Sequence, residues 1–160
     1  QAILALESKV VDFAAVTSPL TIQKPLHKTH LASYREILIG GTKYKELASQ
    51  IRSLNDLSGI PVIGLADGTG TRELYHRYFL SHGLMFAPDM EAATTDQILP
   101  MITHNLGIGF YPEELAAEAI ARGSAYAIRL VEPIPEREIC LVTNSSTQMS
   151  AAVRKVISFL

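Results

Sequence analysis

The sequence predicts an α/β fold, and three observations carry that prediction. Short, nearly all-apolar runs alternate with segments of helical periodicity along the whole chain. One such run, Pro61-Val62-Ile63-Gly64-Leu65, leads through a Gly/Thr loop, Asp67-Gly68-Thr69-Gly70-Thr71, into a helical pattern that reaches His82. A further pair of runs, Val10–Val16 and Glu138–Thr143, brackets everything else. If those two lie side by side in one sheet, the middle of the chain is an inserted second lobe. It is then reached by two connections, near 17–20 and 132–137, and a cleft between two such lobes is a common ligand site.

Each element follows from local chemistry. Ile3, Leu4 and Leu6 give a helical face that is expected to begin upstream, since no N-cap precedes it. Val10–Val16 reads as a strand buried on both faces, hence part of a parallel sheet. Residues 20–31 form a crossing segment with strand character, where Pro25 requires an edge or a bend. Tyr34–Gly40 is a strand stopped by Gly40-Gly41, and Tyr44–Ala48 a helical turn. Ser53 caps a short helix with Asp56 three residues on. After the 61–65 strand, the helix to His82 places Leu74, Tyr75, Tyr78 and Phe79 on one face, and Gly83 ends it. Pro88–Ala93 is a strand. Thr94 or Thr95 caps a helix with Ile98, Leu99, Met101 and Ile102 in the core. Asn105–Pro112 turns into a strand, and Glu113-Glu114 opens a helix with Leu115, Ala116, Ala119 and Ile120 inward. Strands at 126–131 and 138–143 follow. The last helix sets Met149, Val153, Val156 and Leu160 at a/d spacing, beside Ala152 and Ile157.

Composition narrows the function classes. The chain has 160 residues, 48% hydrophobic and 19% charged, with a mean hydropathy of +0.18, which is ordinary for a globular domain. A formal net charge of -2 without a basic run makes these residues alone poor nucleic-acid binders. No apolar run has the length of a membrane span, and the first residues do not resemble a signal peptide. Cys140 is the one cysteine, so no intramolecular disulfide forms, which suits a cytoplasmic protein.

No catalytic constellation stands out. Gly64, Gly68 and Gly70 do not form a dinucleotide fingerprint, and no Lys-Ser/Thr pair makes a P-loop. His27 and His30 point to opposite faces of an extended segment, so no metal site is expected, and no cofactor either. His82 belongs to a helix C-terminus, where a cation is favoured. Cys140 sits mid-strand as a buried thiol, and the serines at 145, 146 and 150 lack a nucleophile elbow. Arg72 has two readings, a partner for an anionic ligand or, as expected, a partner for Glu73 or Asp67. The Asp67–Tyr75 stretch has two readings. It is a polar turn with Thr or Gly capping a helix, or it is an anion site built from orphan N–H groups and threonine hydroxyls.

In order and spacing, these features resemble the effector-binding domain of LysR-type transcriptional regulators. Leu6–Val16 is similar to that family's helix end and "lDlai" strand, and Leu31–Ile39 to the segment leading into "lvlv". Ser53–Leu57 with Pro61-Val62-Ile63 is similar to "sl.dL…pli", and Thr69-Gly70-Thr71-Arg72 occupies the second lobe's loop and helix start. Gln97 to Pro112 resembles "V..GlGia.lP", with Asn105 replacing the usual small residue, and Ser150–Leu160 matches the terminal helix.

The resemblance implies two Rossmann-like lobes of the type 2 periplasmic-binding-protein kind, the first incomplete. Residues 1–17 and 134–160 would form the partial first lobe, and 18–133 the inserted second. It implies a fragment that lacks the family's winged helix-turn-helix, its linker helix and the first strands and helix of the effector domain. It further implies that Thr17, Ser18, Thr69, Gly70 and Thr71 hold a small anionic effector in the interlobe cleft through N–H groups and hydroxyls. Binding would shift lobe closure and dimer geometry. The implied partners are that effector, a second copy in an antiparallel homodimer (a tetramer at full length), and DNA through the missing domain alone. A solute-binding protein of a transport system is the rival reading, to be separated by a signal peptide upstream, and a small α/β enzyme is the third.

Overall fold

The computed structural model of the chain describes residues 2–146, 149 and 151–159, with the backbone alone at 152 and 156. In chain order the elements are α1 (Ala2–Glu7), β1 (Phe13–Thr17), β2 (Leu26–Tyr34), β3 (Glu36–Gly41), β4 (Val62–Leu65), α2 (Gly70–Ser81), β5 (Met90–Ala92), α3 (Thr95–Thr103), β6 (Ile108–Pro112), α4 (Glu113–Ala121), β7 (Ala125–Ile128), β8 (Arg137–Asn144) and α5 (Ala151–Ile157). The chain forms two compact units, one of residues 1–33 with 137–160, the other of residues 34–136.

The first unit is built on a three-stranded sheet in the order β1-β8-β2. β1 and β8 do pair, as the bracketing runs suggested, from Phe13 opposite Thr143 to Thr17 opposite Ile139. The pairing is antiparallel, however, and the expected parallel, doubly buried strand at 10–16 does not form. Lys9 adopts a left-handed φ of 59° and turns the chain out of α1. Val10 and Val11 then bond back to the Ala5 carbonyl, leaving Val10 76% exposed. The strand proper starts at Phe13 and is an edge strand with Ala15 and Thr17 exposed. Leu6, Leu26 and Val142 make the small core, with Val16, Leu20 and Ile22 against it. β2 begins directly after Pro25 and is the other edge, which is what a proline there requires. Its pairing with β8 draws residues 18–33 into this unit. The division therefore falls at 33/34 and 136/137, where 17/18 and 133/134 were expected. Of the stripe expected on the last helix, Leu160 lies outside the described residues, as do Ser150 and the side chains of Ala152 and Val156.

The second unit carries a five-stranded sheet, β5-β4-β6-β3-β7. β5, β4 and β6 run parallel, with Ile63 opposite both Met90 and Gly109, while β6-β3 and β3-β7 are antiparallel. One face packs Leu38, Ile108 and Phe110 against Tyr75, Tyr78 and Phe79 of α2. The other packs Ile39, Ile63 and Leu65 against Ile98 and Ile102 of α3 and Ala116 of α4. Leu115, expected inside, is 61% exposed, because α4 turns Ala116 and Ile120 inward. The capping box at Ser53 forms, its N–H donating to Asp56 Oδ2 at 2.7 Å. No helix among the described residues is long and apolar enough to cross a membrane.

Candidate functional site

In the second unit, β4 delivers the chain to a loop in which Gly68 takes a left-handed φ of 78°. Thr69 then caps α2. Its Oγ1 accepts from the Arg72 N–H at 3.2 Å and donates to the Ala66 carbonyl at 3.0 Å. That hydroxyl's proton is therefore committed to the turn, as the capped-turn reading predicts. The N–H groups of Gly70 and Thr71 and the Thr71 hydroxyl make no hydrogen bond among the described residues. They are the orphan donors of a helix start, where the dipole favours negative charge. Asp67, Gly68, Thr69, Gly70 and Glu73 line an open depression of about 390 Å³.

Arg72 does not pair with Glu73 or Asp67. Helical side chains lean toward the N-terminus, and Arg72 reaches back to donate to the Leu65 carbonyl at 3.2 Å and meet Glu91 at 3.4 Å. Its guanidinium lies 5.4 Å from the centroid of the Phe86 ring. Glu73 bonds Arg77 instead, at 3.1 Å. Arg72 thus ties α2 to the end of β4 and to the middle of β5. Beneath it α2 is anchored by aromatic groups. Tyr75 stacks on Phe110 at 4.1 Å and donates to the buried Glu36 carboxylate. Tyr78 donates to the Glu132 carbonyl at 3.0 Å, and burial, aided by the Glu132 charge, pushes its phenol up to about 12.

In the first unit, Thr17 ends β1 and Ser18 follows it. Both are held by Arg137, a residue that sequence reasoning passed over as part of a connector. Arg137 is only 3% exposed. It donates through Nε and Nη2 to the Ser18 carbonyl at 3.0 and 2.7 Å, and through Nη2 to Thr17 Oγ1 at 3.0 Å. Ser18 Oγ accepts from the Glu138 N–H at 2.9 Å. The available signal was the type of residue: a guanidinium at the first position of a strand has five donors to place.

Other candidates resolve into structure. His27 and His30 are exposed on β2, and His82 Nδ1 lies 2.9 Å from the Tyr78 carbonyl at the end of α2. Cys140 is fully buried, with Sγ 3.7 Å from Glu138 Oε2. Lys28 bonds Glu138 at 2.8 Å, which holds the Glu138 carboxyl below and the Lys28 ammonium above their usual values. Among the described residues no three His, Cys, Asp or Glu side chains cluster as a metal site would require.

The chain is 24% identical over 142 residues to a relative from Escherichia coli strain K12, "Uncharacterized HTH-type transcriptional regulator YeiE", covering 86% of this chain and 48% of that one. It therefore spans about half the length of the curated relatives it matches. Its backbone is similar to the effector-binding domain of QuiR in complex with shikimate, with a TM-score of 0.81 and 16% identity over 98% of this chain and 73% of that one. It is equally similar to the CcmR regulatory domain of Synechocystis PCC6803 in complex with 2-PG, with a TM-score of 0.82 and 16% identity over 98% and 75%. These establish the two-lobed periplasmic-binding-protein-like fold. The family model for the LysR substrate binding domain matches residues 1–160, and on that match the chain belongs to the LysR family of transcriptional regulators.

Proposed function

We propose that this chain is the ligand-sensing part of a transcription factor and binds a small anionic effector. The observation that carries the reading is the pair of free N–H groups at Gly70 and Thr71, set with the Thr71 hydroxyl at the start of a firmly anchored helix. In the first unit Thr17 and Ser18 are the candidate effector contacts, and in the second Thr69 holds the helix start in shape. The family match supports a regulator over a transport protein, and the chemistry is binding without turnover. Shikimate is a carboxylate, which makes the QuiR complex a relevant precedent. The effector acts by preferring one of two arrangements of the protein. It reports to a DNA-binding domain outside these residues, in a cytoplasmic homodimer that becomes a tetramer at full length. A thermal-shift screen of small carboxylates, amino acids and oxyanions tests this. At least one should raise the melting temperature with saturation, and a screen in which no anion does so speaks against the reading.

A further inference from the structure

We infer that Arg137 is a positioning residue for the effector, fixing Thr17 and Ser18 as hydrogen-bond donors and thereby selecting an acceptor-only group, a carboxylate, phosphate or sulfate. The inference rests on the proposed function and deepens it.

A hydroxyl has one proton to give and two lone pairs to receive. At Thr17 a lone pair takes the Arg137 Nη2 proton, and at Ser18 a lone pair takes the Glu138 N–H. Neither hydroxyl donates to any described residue. Both protons are therefore left for an outside acceptor. A charged donor feeding the Thr17 oxygen polarises it and makes its O–H a stronger donor in turn. The same guanidinium grips the Ser18 carbonyl twice, and the Ser18 N–H is spent on the Glu138 carbonyl at 2.9 Å. The carbonyl that could have received an ammonium group is thus occupied. What residues 17 and 18 offer is two O–H protons and one further lone pair each, set beside a buried guanidinium whose charge favours an anionic acceptor over an ammonium group. Thr69 behaves in the opposite way, since its proton points inward to Ala66. Arg137 itself is buried, so it acts on a ligand through the two hydroxyls.

Calorimetric titration of the whole chain with shikimate, 2-PG and sulfate tests this in wild type, Arg137→Lys, Arg137→Gln, the Thr17→Val/Ser18→Ala double variant, and that double variant combined with Arg137→Lys. The expected result is that wild type binds at least one probe and Arg137→Gln binds it at least tenfold more weakly. Arg137→Lys should fall between, because an ammonium cannot reproduce the fork. The discriminating readout is coupling. Once both hydroxyls are gone, Arg137→Lys should cost no further affinity. Independent, multiplying losses would overturn the inference, as would unchanged affinity in both Arg137 variants. If both Arg137 variants lose their cooperative melt, the residue is a folding element and the inference is overturned as well. Failure of wild type to bind any of the three anions refutes the proposed function and the inference with it. Binding by wild type that the variants leave intact refutes the inference alone.

Discussion

Asn105 and the two threonines of the α2 start show how much a single residue decides. Asn105 stands at a left-handed φ of 61°, and its side-chain oxygen accepts the Lys43 N–H at 2.8 Å. A residue that tolerates this angle and stitches the neighbouring turn has two jobs. Asn105→Ala should therefore cost about 2 kcal/mol, from backbone strain and a lost hydrogen bond together. Asn105→Gly, which relieves the strain, should cost about half of that, and chemical denaturation reads both. Thr69 and Thr71 should separate cleanly. Thr69→Val removes the cap and lowers stability by about 1 kcal/mol, a fall of about 3 °C in melting temperature for a chain of this size. Thr71→Val should leave the melt unchanged and weaken effector binding about tenfold, the scale of one hydrogen bond to a charged group. The reverse pattern would show that Thr71 is structural. Gly-Thr-Gly-Thr announces a cap and a set of donors. Which threonine does which depends on a carbonyl, Ala66, whose approach only the folded loop fixes. Arg137 was hidden for a similar reason, its partners being about 120 positions away.

Among the elements, helices were legible because their signals are local. The 3.6-residue pattern located α2, Gly83 ended it at a φ of 74°, and the Ser53–Asp56 box appeared as spaced. Sheet partners are non-local, and there the reading erred at one strand. An apolar run at 10–16 cannot announce that a left-handed Lys9 removes its first two valines from the sheet. Close approach is equally invisible in sequence. A Cβ on Gly64 would lie 2.6 Å from Pro88 Cγ, so Gly64→Ala should destabilise the second unit by about 1–3 kcal/mol through overpacking. The exposed Lys28–Glu138 bridge joins β2 to β8 and carries a pH signature. The Lys28 hydrogen bond lowers the Glu138 carboxyl below 4.5, so its contribution is present above that value and is lost as pH falls through the lowered one. The same bond raises the Lys28 ammonium above 10.5, so that contribution is complete below 10.5 and is lost as pH rises through the raised value. Glu138→Gln should therefore melt slightly below wild type at pH 7, and the gap should narrow as pH falls below 4.5. The gap should shrink in high salt, since exposed pairs are screened.

At the scale of the molecule, the two-unit organisation follows from one long-range pairing, β1 with β8, that the bracketing apolar runs already suggested. The exact division did not, because β2 had to find its place beside β8 before residues 18–33 could be assigned. A net charge of -2 without a basic run in the sequence argues against DNA binding by these residues. Residues 1–160 alone should therefore show no specific retention of promoter DNA in a gel-shift assay that the full-length protein passes. The most direct single measurement is a backbone amide NMR titration of the chain with a small anion that stabilises it. Saturable shifts at Gly70 and Thr71, and at Thr17 and Ser18, are expected. Saturable binding that moves neither pair of amides would contradict the proposed site.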